Sequence, residues 1–177
     1  VGVALLAAAG LGLAACGGSS STQAYGGLPD WLPTSTEPVH RVVEASAGHA
    51  QLGVEGDTMS VVLPAGRALA TLVGPYDTVQ GQYPPPETTP CTFILTLDQV
   101  SGTVPIEPAD FTLVDELGHR YHPTVTVDGA PLPTTVPGGG KLTVKASQVM
   151  PTGSGMIQWA PGGGEPIASW DFSIEVD

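Results

Sequence analysis

From Ala45 onward Gly and Pro break the chain at short intervals, and this punctuation decides its fold class. Glu55-Gly56-Asp57, Leu117-Gly118, Asp128-Gly129, Pro137-Gly138 and Pro161-Gly162 are turn signals. The 177 residues include 24 Gly and 18 Pro, with much Val and Thr between them. Long helices tolerate that mixture poorly, whereas short strands joined by tight turns use it well. Beyond the first fifteen residues no stretch keeps the apolar period of a helix long enough to stand as one.

The strands are visible as alternation. At the C-terminus Trp170, Phe172, Ile174 and Val176 fall on one side, and Ser169, Asp171, Ser173, Glu175 and Asp177 on the other. A period of two is the mark of a half-buried strand. Lys141–Ala146 repeats it with both Lys on the solvent side. Thr92–Val100 reads as a more fully buried strand. Further strands are expected near His49–Val54, Thr58–Leu63, Ala68–Val73, Phe111–Val114, Arg120–Val127 and Met156–Ala160. Gly74–Pro90 is expected to be a Pro-rich loop, polyproline-like at Tyr83-Pro84-Pro85-Pro86. The expectation is an all-β protein: an antiparallel, immunoglobulin-like sandwich of about eight or nine strands.

The first fifteen residues, Val1–Ala15, are uncharged and apolar. As a helix they would span roughly 22 Å at ~1.5 Å per residue, short of the ~30 Å hydrocarbon core of a bilayer. That length fits the apolar core of a signal peptide. A plain secretory signal or a buried apolar helix are the alternatives. No Met and no basic residue precede the run, so a start upstream of Val1 is expected. Leu13-Ala14-Ala15-Cys16 resembles the lipobox of bacterial lipoproteins. The resemblance implies lipidation of the Cys16 thiol and cleavage between Ala15 and Cys16. Gly17-Gly18-Ser19-Ser20-Ser21-Thr22 then suits a flexible tether. Leu28-Pro29, Leu32-Pro33 and Glu37-Pro38 break any regular element before the domain. The expected organisation is signal peptide 1–15, lipidated Cys and tether 16–45, and sandwich 46–177. The address it implies is the cell envelope, on the outer face of the cytoplasmic membrane.

With Cys16 lipidated, Cys91 stands alone, in the run Cys91-Thr92-Phe93-Ile94-Leu95. A buried, inert thiol is expected, because no thiolate-activating base lies near it in the sequence.

Charge limits the partners. Seventeen acidic residues face five basic ones, for a formal charge of −12. Arg41, Arg67, Arg120, Lys141 and Lys145 do not cluster, which argues against nucleic acid and against a polybasic grip on anionic lipid.

The run from Thr92 to the C-terminus resembles a group of secreted or lipid-anchored bacterial proteins with an immunoglobulin-like sandwich. A secreted immunogenic protein of mycobacteria is among them. The resemblance rests on the strand Thr92–Val100, on Val104-Pro105-Ile106-Glu107-Pro108-Ala109-Asp110-Phe111, and on Asp115-Glu116-Leu117-Gly118-His119-Arg120-Tyr121. The Pro137-Gly138 turn and a closing pair of strands carrying Trp159 and Trp170 complete it. It implies a fold in the envelope and brings no catalytic residues. Composition, with its Gly content and acidic bias, also resembles exported proteins of high-GC actinobacteria.

Candidate chemistry is sparse. His119 and His122, with Asp115 and Glu116 across a hairpin, could offer metal ligands. On a strand, however, the i, i+3 spacing sends the two His to opposite faces. Met59, Met150 and Met156 with His40, His49, His119 and His122 are too scattered for a copper site. Gly153-Ser154-Gly155 lacks the elbow of a serine hydrolase and reads as a Gly/Pro turn. Pro137-Gly138-Gly139-Gly140-Lys141 lacks phosphate-loop spacing and reads as a hairpin turn. Trp159 and Trp170 are expected in the core. The function expected is a lipid-anchored, non-catalytic binding or structural domain without a cofactor, meeting a protein or cell-wall partner. A metal-binding lipoprotein is the alternative, and an envelope hydrolase a more distant one.

Overall fold

The structure, a computed structural model, describes residues 42–76, 84 and 86–174. The signal segment, Ala15, Cys16, the tether, Tyr25, Trp31, His40, Tyr83 and Val176 lie outside the described residues.

Twelve strands run through the described residues: β1 (Val43–Ser46), β2 (Gln51–Val54), β3 (Thr58–Leu63), β4 (Gly66–Tyr76), β5 (Thr88–Pro105) and β6 (Phe111–Asp115), then β7 (Arg120–Tyr121), β8 (Thr124–Thr126), β9 (Thr135–Pro137), β10 (Leu142–Pro151), β11 (Gly153–Trp159) and β12 (Ala168–Ile174). They form two sheets. The larger runs β1-β3-β4-β5-β10-β8, with β9 also paired to β5, and the smaller runs β2-β12-β11-β6-β7. No helix among the described residues is long and apolar enough to cross a membrane.

The two sheets close on one another as a sandwich, as the alternation predicts. Phe93 of β5 meets Phe172 of β12 across the gap, with ring centroids 4.8 Å apart and planes inclined by 55°. Tilted contacts of this kind add about 0.5–1.5 kcal/mol beyond the area they bury. Trp159 and Trp170 are fully buried. Met59, Val61, Ala70, Leu72, Leu95 and Leu97 complete the facing layer from the larger sheet. Cys91 is buried as expected, its Sγ 3.6 Å from the Thr89 carbonyl oxygen.

Strands number twelve and not eight or nine, because short ones such as β7, β8 and β9 show no period, and the expected loop Gly74–Pro90 is strand at its two ends, in β4 and β5; three further features depart from the expected pattern. The sheets are mixed: β1 lies parallel to β3 and β2 parallel to β12. β1 puts Ala45 in the core, so the sheet begins before the expected boundary at residue 46. The segment expected as one strand, Arg120–Val127, is two. β7 pairs with β6 in one sheet and β8 with β10 in the other, and the chain crosses between them at the buried Pro123. A Pro cannot donate to a ladder, so it suits that crossing.

Gly66 shows how tightly the larger sheet closes. A Cβ there would lie 2.5 Å from the Ser101 carbonyl oxygen and 2.6 Å from the Thr103 nitrogen. Only Gly lets the β3–β4 hairpin approach β5 so closely.

Candidate functional site

The β6–β7 hairpin is built around one carboxylate. Asp115 ends β6 and is almost wholly buried. Its Oδ1 accepts from the backbone N–H of Leu117 (2.9 Å) and of His119 (2.8 Å). Its Oδ2 is 2.9 Å from His119 Nδ1 and accepts from the Tyr121 hydroxyl at 2.9 Å. Backbone bonds between Asp115 and His119, and from Gly118 to Asp115, close the same turn. Desolvation pushes the Asp115 carboxyl up. The hydrogen bonds of the His119 ring, the His119 backbone and Tyr121 outweigh it and hold the group at about 2. The same pairing raises the Tyr121 hydroxyl above its ordinary value, with burial adding to the effect.

Of the four residues expected around this hairpin, the structure thus joins Asp115 and His119. His122 and Glu116 are exposed. Glu116 instead lies over Gly153, its Oε2 3.2 Å from where a Cβ on that glycine would be. Among the described residues no three His, Cys, Asp or Glu side chains come close enough together to hold a metal ion.

Ser154 is in strand β11 and not in the turn expected for Gly153-Ser154-Gly155; it pairs with Ser173 of β12. β12 pairs with all three residues of the segment, and β6 joins from the other side at Gly155, so the backbone is held extended. Alternation along β11 turns Ser154 and Met156 outward, and Ile157 and Trp159 toward the core. Along β6, Asp115 falls on the core side with Phe111 and Leu113. The hydroxyl and the buried acid therefore lie on opposite faces of the sheet.

The outward face of the smaller sheet carries a surface that no sequence motif announces. Register sets Val54, Asp171, Met156, Val114 and Arg120 side by side across all five strands. The neighbouring row holds Leu52, Ser169, Gln158 and Thr112. Leu52 and Val54 are both more than half exposed, on edge strand β2. Between β2 and the β6–β7 hairpin this face sinks into an open groove of about 530 Å³. Val54, Val114 and Met156 give it apolar walls, Ser154 and Ser173 give hydroxyls, Asp171 stands between Val54 and Met156, and Glu55 and Glu116 stand at its margin. The volume lies in the range of small binding clefts.

Charge is divided between the sheets. Among the described residues Arg67, Lys141 and Lys145 belong to the strands and turns of the larger sheet, and Lys141 is already paired with Asp98 at 2.8 Å. That bond and the Gln99 backbone N–H lower the Asp98 carboxyl. Arg120 is the basic residue of the smaller sheet, at the end of the row remote from β2.

The sequence matches no protein-family model and none of the curated proteins compared with it. Two solved structures are similar to part of this chain. One is MPT63, a secreted protein of Mycobacterium tuberculosis, at 17% identity and a TM-score of 0.47, covering 71% of this chain and all of that one. The other is a candidate lipoprotein of Bacillus subtilis, ycdA, at 13% identity and 0.45, covering 68% of this chain and 39% of that one.

Proposed function

We propose that this chain is an exported envelope protein, anchored by lipid at Cys16, whose β-sandwich is a binding module that meets its partner with the outer face of the smaller sheet. The observation that carries the binding role is the open groove between β2 and the β6–β7 hairpin, with apolar walls and an acidic margin. A buried carboxylate braces the hairpin beside it, so one side of the groove is rigid before any partner arrives. The anchor rests on the ordered run of apolar segment, small residues, Cys16 and Gly/Ser tether.

Two measurements test the reading. Cys16→Ala should move the protein from the membrane fraction to the soluble fraction; if the variant stays wholly with the membrane, the anchor is refuted. A photo-crosslinker placed at Ser173 in the groove should trap a discrete partner in intact envelopes. The same group at Thr143, on the outer face of the larger sheet, should not. Equal labelling from both positions, or none above control, would sink the binding role.

A further inference from the structure

The groove has a chemistry that specifies its occupant more closely than a generic contact surface would. Asp171 stands second in the cross-sheet row, between Val54 and Met156, and its side chain points to solvent. Among the described residues neither Asp171 nor Glu116 has a hydrogen-bonded or ion-paired partner for its carboxylate. Each is therefore available to a cation from outside. Between and beside them lie Met156, Val114 and Val54, which offer an apolar seat. Methionine, unbranched and polarisable, adapts to side chains of differing shape. An anionic lipid surface or a nucleic acid would meet these carboxylates as like charge, on a chain already at −12.

Resting on the binding role above, we propose that the groove takes an extended basic segment of a protein partner. One apolar side chain would sit against Met156 and Val114, and flanking Lys or Arg side chains would reach Asp171 and Glu116. The case is one of charge complementarity. The carboxylates supply charge-assisted bonds to ammonium or guanidinium groups, and the apolar walls take the aliphatic stems those side chains carry. The chain's excess negative charge would speed the encounter and make it sensitive to salt.

In an extended chain alternate residues share a face, so the probe is a dansylated Ser-Lys-Ser-Val-Ser-Lys-Ser-Val-Ser-Lys, with Lys and Val on one side. Its counterparts replace Val by Ser, or Lys by Glu. Fluorescence anisotropy is measured with the full-length protein in detergent micelles. The Lys/Val peptide should bind at least about tenfold more tightly than either counterpart, as expected for paired charge-assisted contacts with an apolar anchor. Asp171→Asn with Glu116→Gln should weaken it by about tenfold or more, as should Met156→Lys, while Glu44→Gln on β1 of the larger sheet changes it little. Unchanged thermal melts would show that these exposed substitutions leave the fold intact.

Equal binding of the Lys/Ser peptide or of spermidine would overturn the proposal, since charge alone would then suffice. Self-association of the protein that Met156→Lys abolishes would also overturn it, because the face would then serve a second copy. If the peptides fail while Ser173 still traps an envelope partner, the basic-segment proposal falls and the binding role stands. If both fail, both fall.

Discussion

Trp170 Nε1 donates a 3.0 Å hydrogen bond to the carbonyl oxygen of Asp57. The indole belongs to the smaller sheet and the carbonyl to the turn that leads into the larger one, so this bond ties the two layers. Trp159 is just as deeply buried, but its Nε1 has no partner among the described residues. Trp170→Phe should therefore cost about 2–4 kcal/mol, combining lost packing with a part-buried carbonyl that loses its donor. Trp159→Phe should cost about 1 kcal/mol less, because only packing is lost. Urea unfolding of the two variants checks the order; equal losses would show that the Asp57 bond adds nothing.

The Asp115 carboxyl sets an acid limit on the β6–β7 hairpin. Its folded value of about 2 lies below the usual 3.8. Its contribution is therefore fully present above pH 3.8 and is lost as pH falls toward 2. Tyr121 works in the opposite sense. Its raised hydroxyl contributes below the ordinary 10.0, and the contribution is lost as pH rises through the folded value. Urea midpoints followed against pH should fall at both extremes for the wild-type protein. Asp115→Asn should flatten both limbs and return the Tyr121 absorbance titration toward 10.0. A variant with the wild-type profile would show that this pairing does not govern either limb.

Gly66→Ala tests the close approach of the β3–β4 hairpin to β5. The new methyl would press on backbone atoms of Ser101 and Thr103, which cannot rotate away. A loss of about 1–3 kcal/mol is expected from overpacking. Gly56→Ala meets open space but sits at φ +88°, so its cost is one of backbone conformation alone. Crystal structures of both should show β5 displaced only in the first.

The Cys91 thiol, buried to 1% exposure, should not react with a water-soluble disulfide reagent in the native protein. In a Cys16→Ala background it should react only as fast as the domain unfolds, and fully in denaturant. Rapid native labelling would mean that β5 opens locally near its start.

Much of the sandwich was legible because strands that bury one face must alternate. Trp170, Phe172 and Ile174 are inside as their spacing predicts, and β3 runs over the residues its pattern marks. Parallel pairing of β1 and β2 was not legible, since alternation tells which face a strand buries but not which neighbour it joins. β9 is too short to show a period. β5 hid its length because it continues through Gln99 and Gly102, whose positive φ angles of 48° and 70° bend the strand without ending it. Asp115 drew notice for its charge, yet its acceptance of backbone N–H groups two and four residues on follows from Asp preceding a Gly-containing turn. The groove could not be read at all. Val54, Asp171, Met156 and Val114 come from four separate strands, and only register brings them into one row.

The placement of β1 and β2 also has a mechanical consequence. They are consecutive in the chain, each lies at an edge, and each belongs to a different sheet. If the proposed lipid anchor holds the chain, a pull through it would load β1 first, then the turn, then β2, before any strand within the sheets bore force. The domain would yield in steps from its tethered end, and the wall of the groove formed by Val54 would give way while the aromatic centre still held. Tension between anchor and partner would in that case be felt first at the surface proposed to hold the partner, making grip and load two ends of one short stretch of chain.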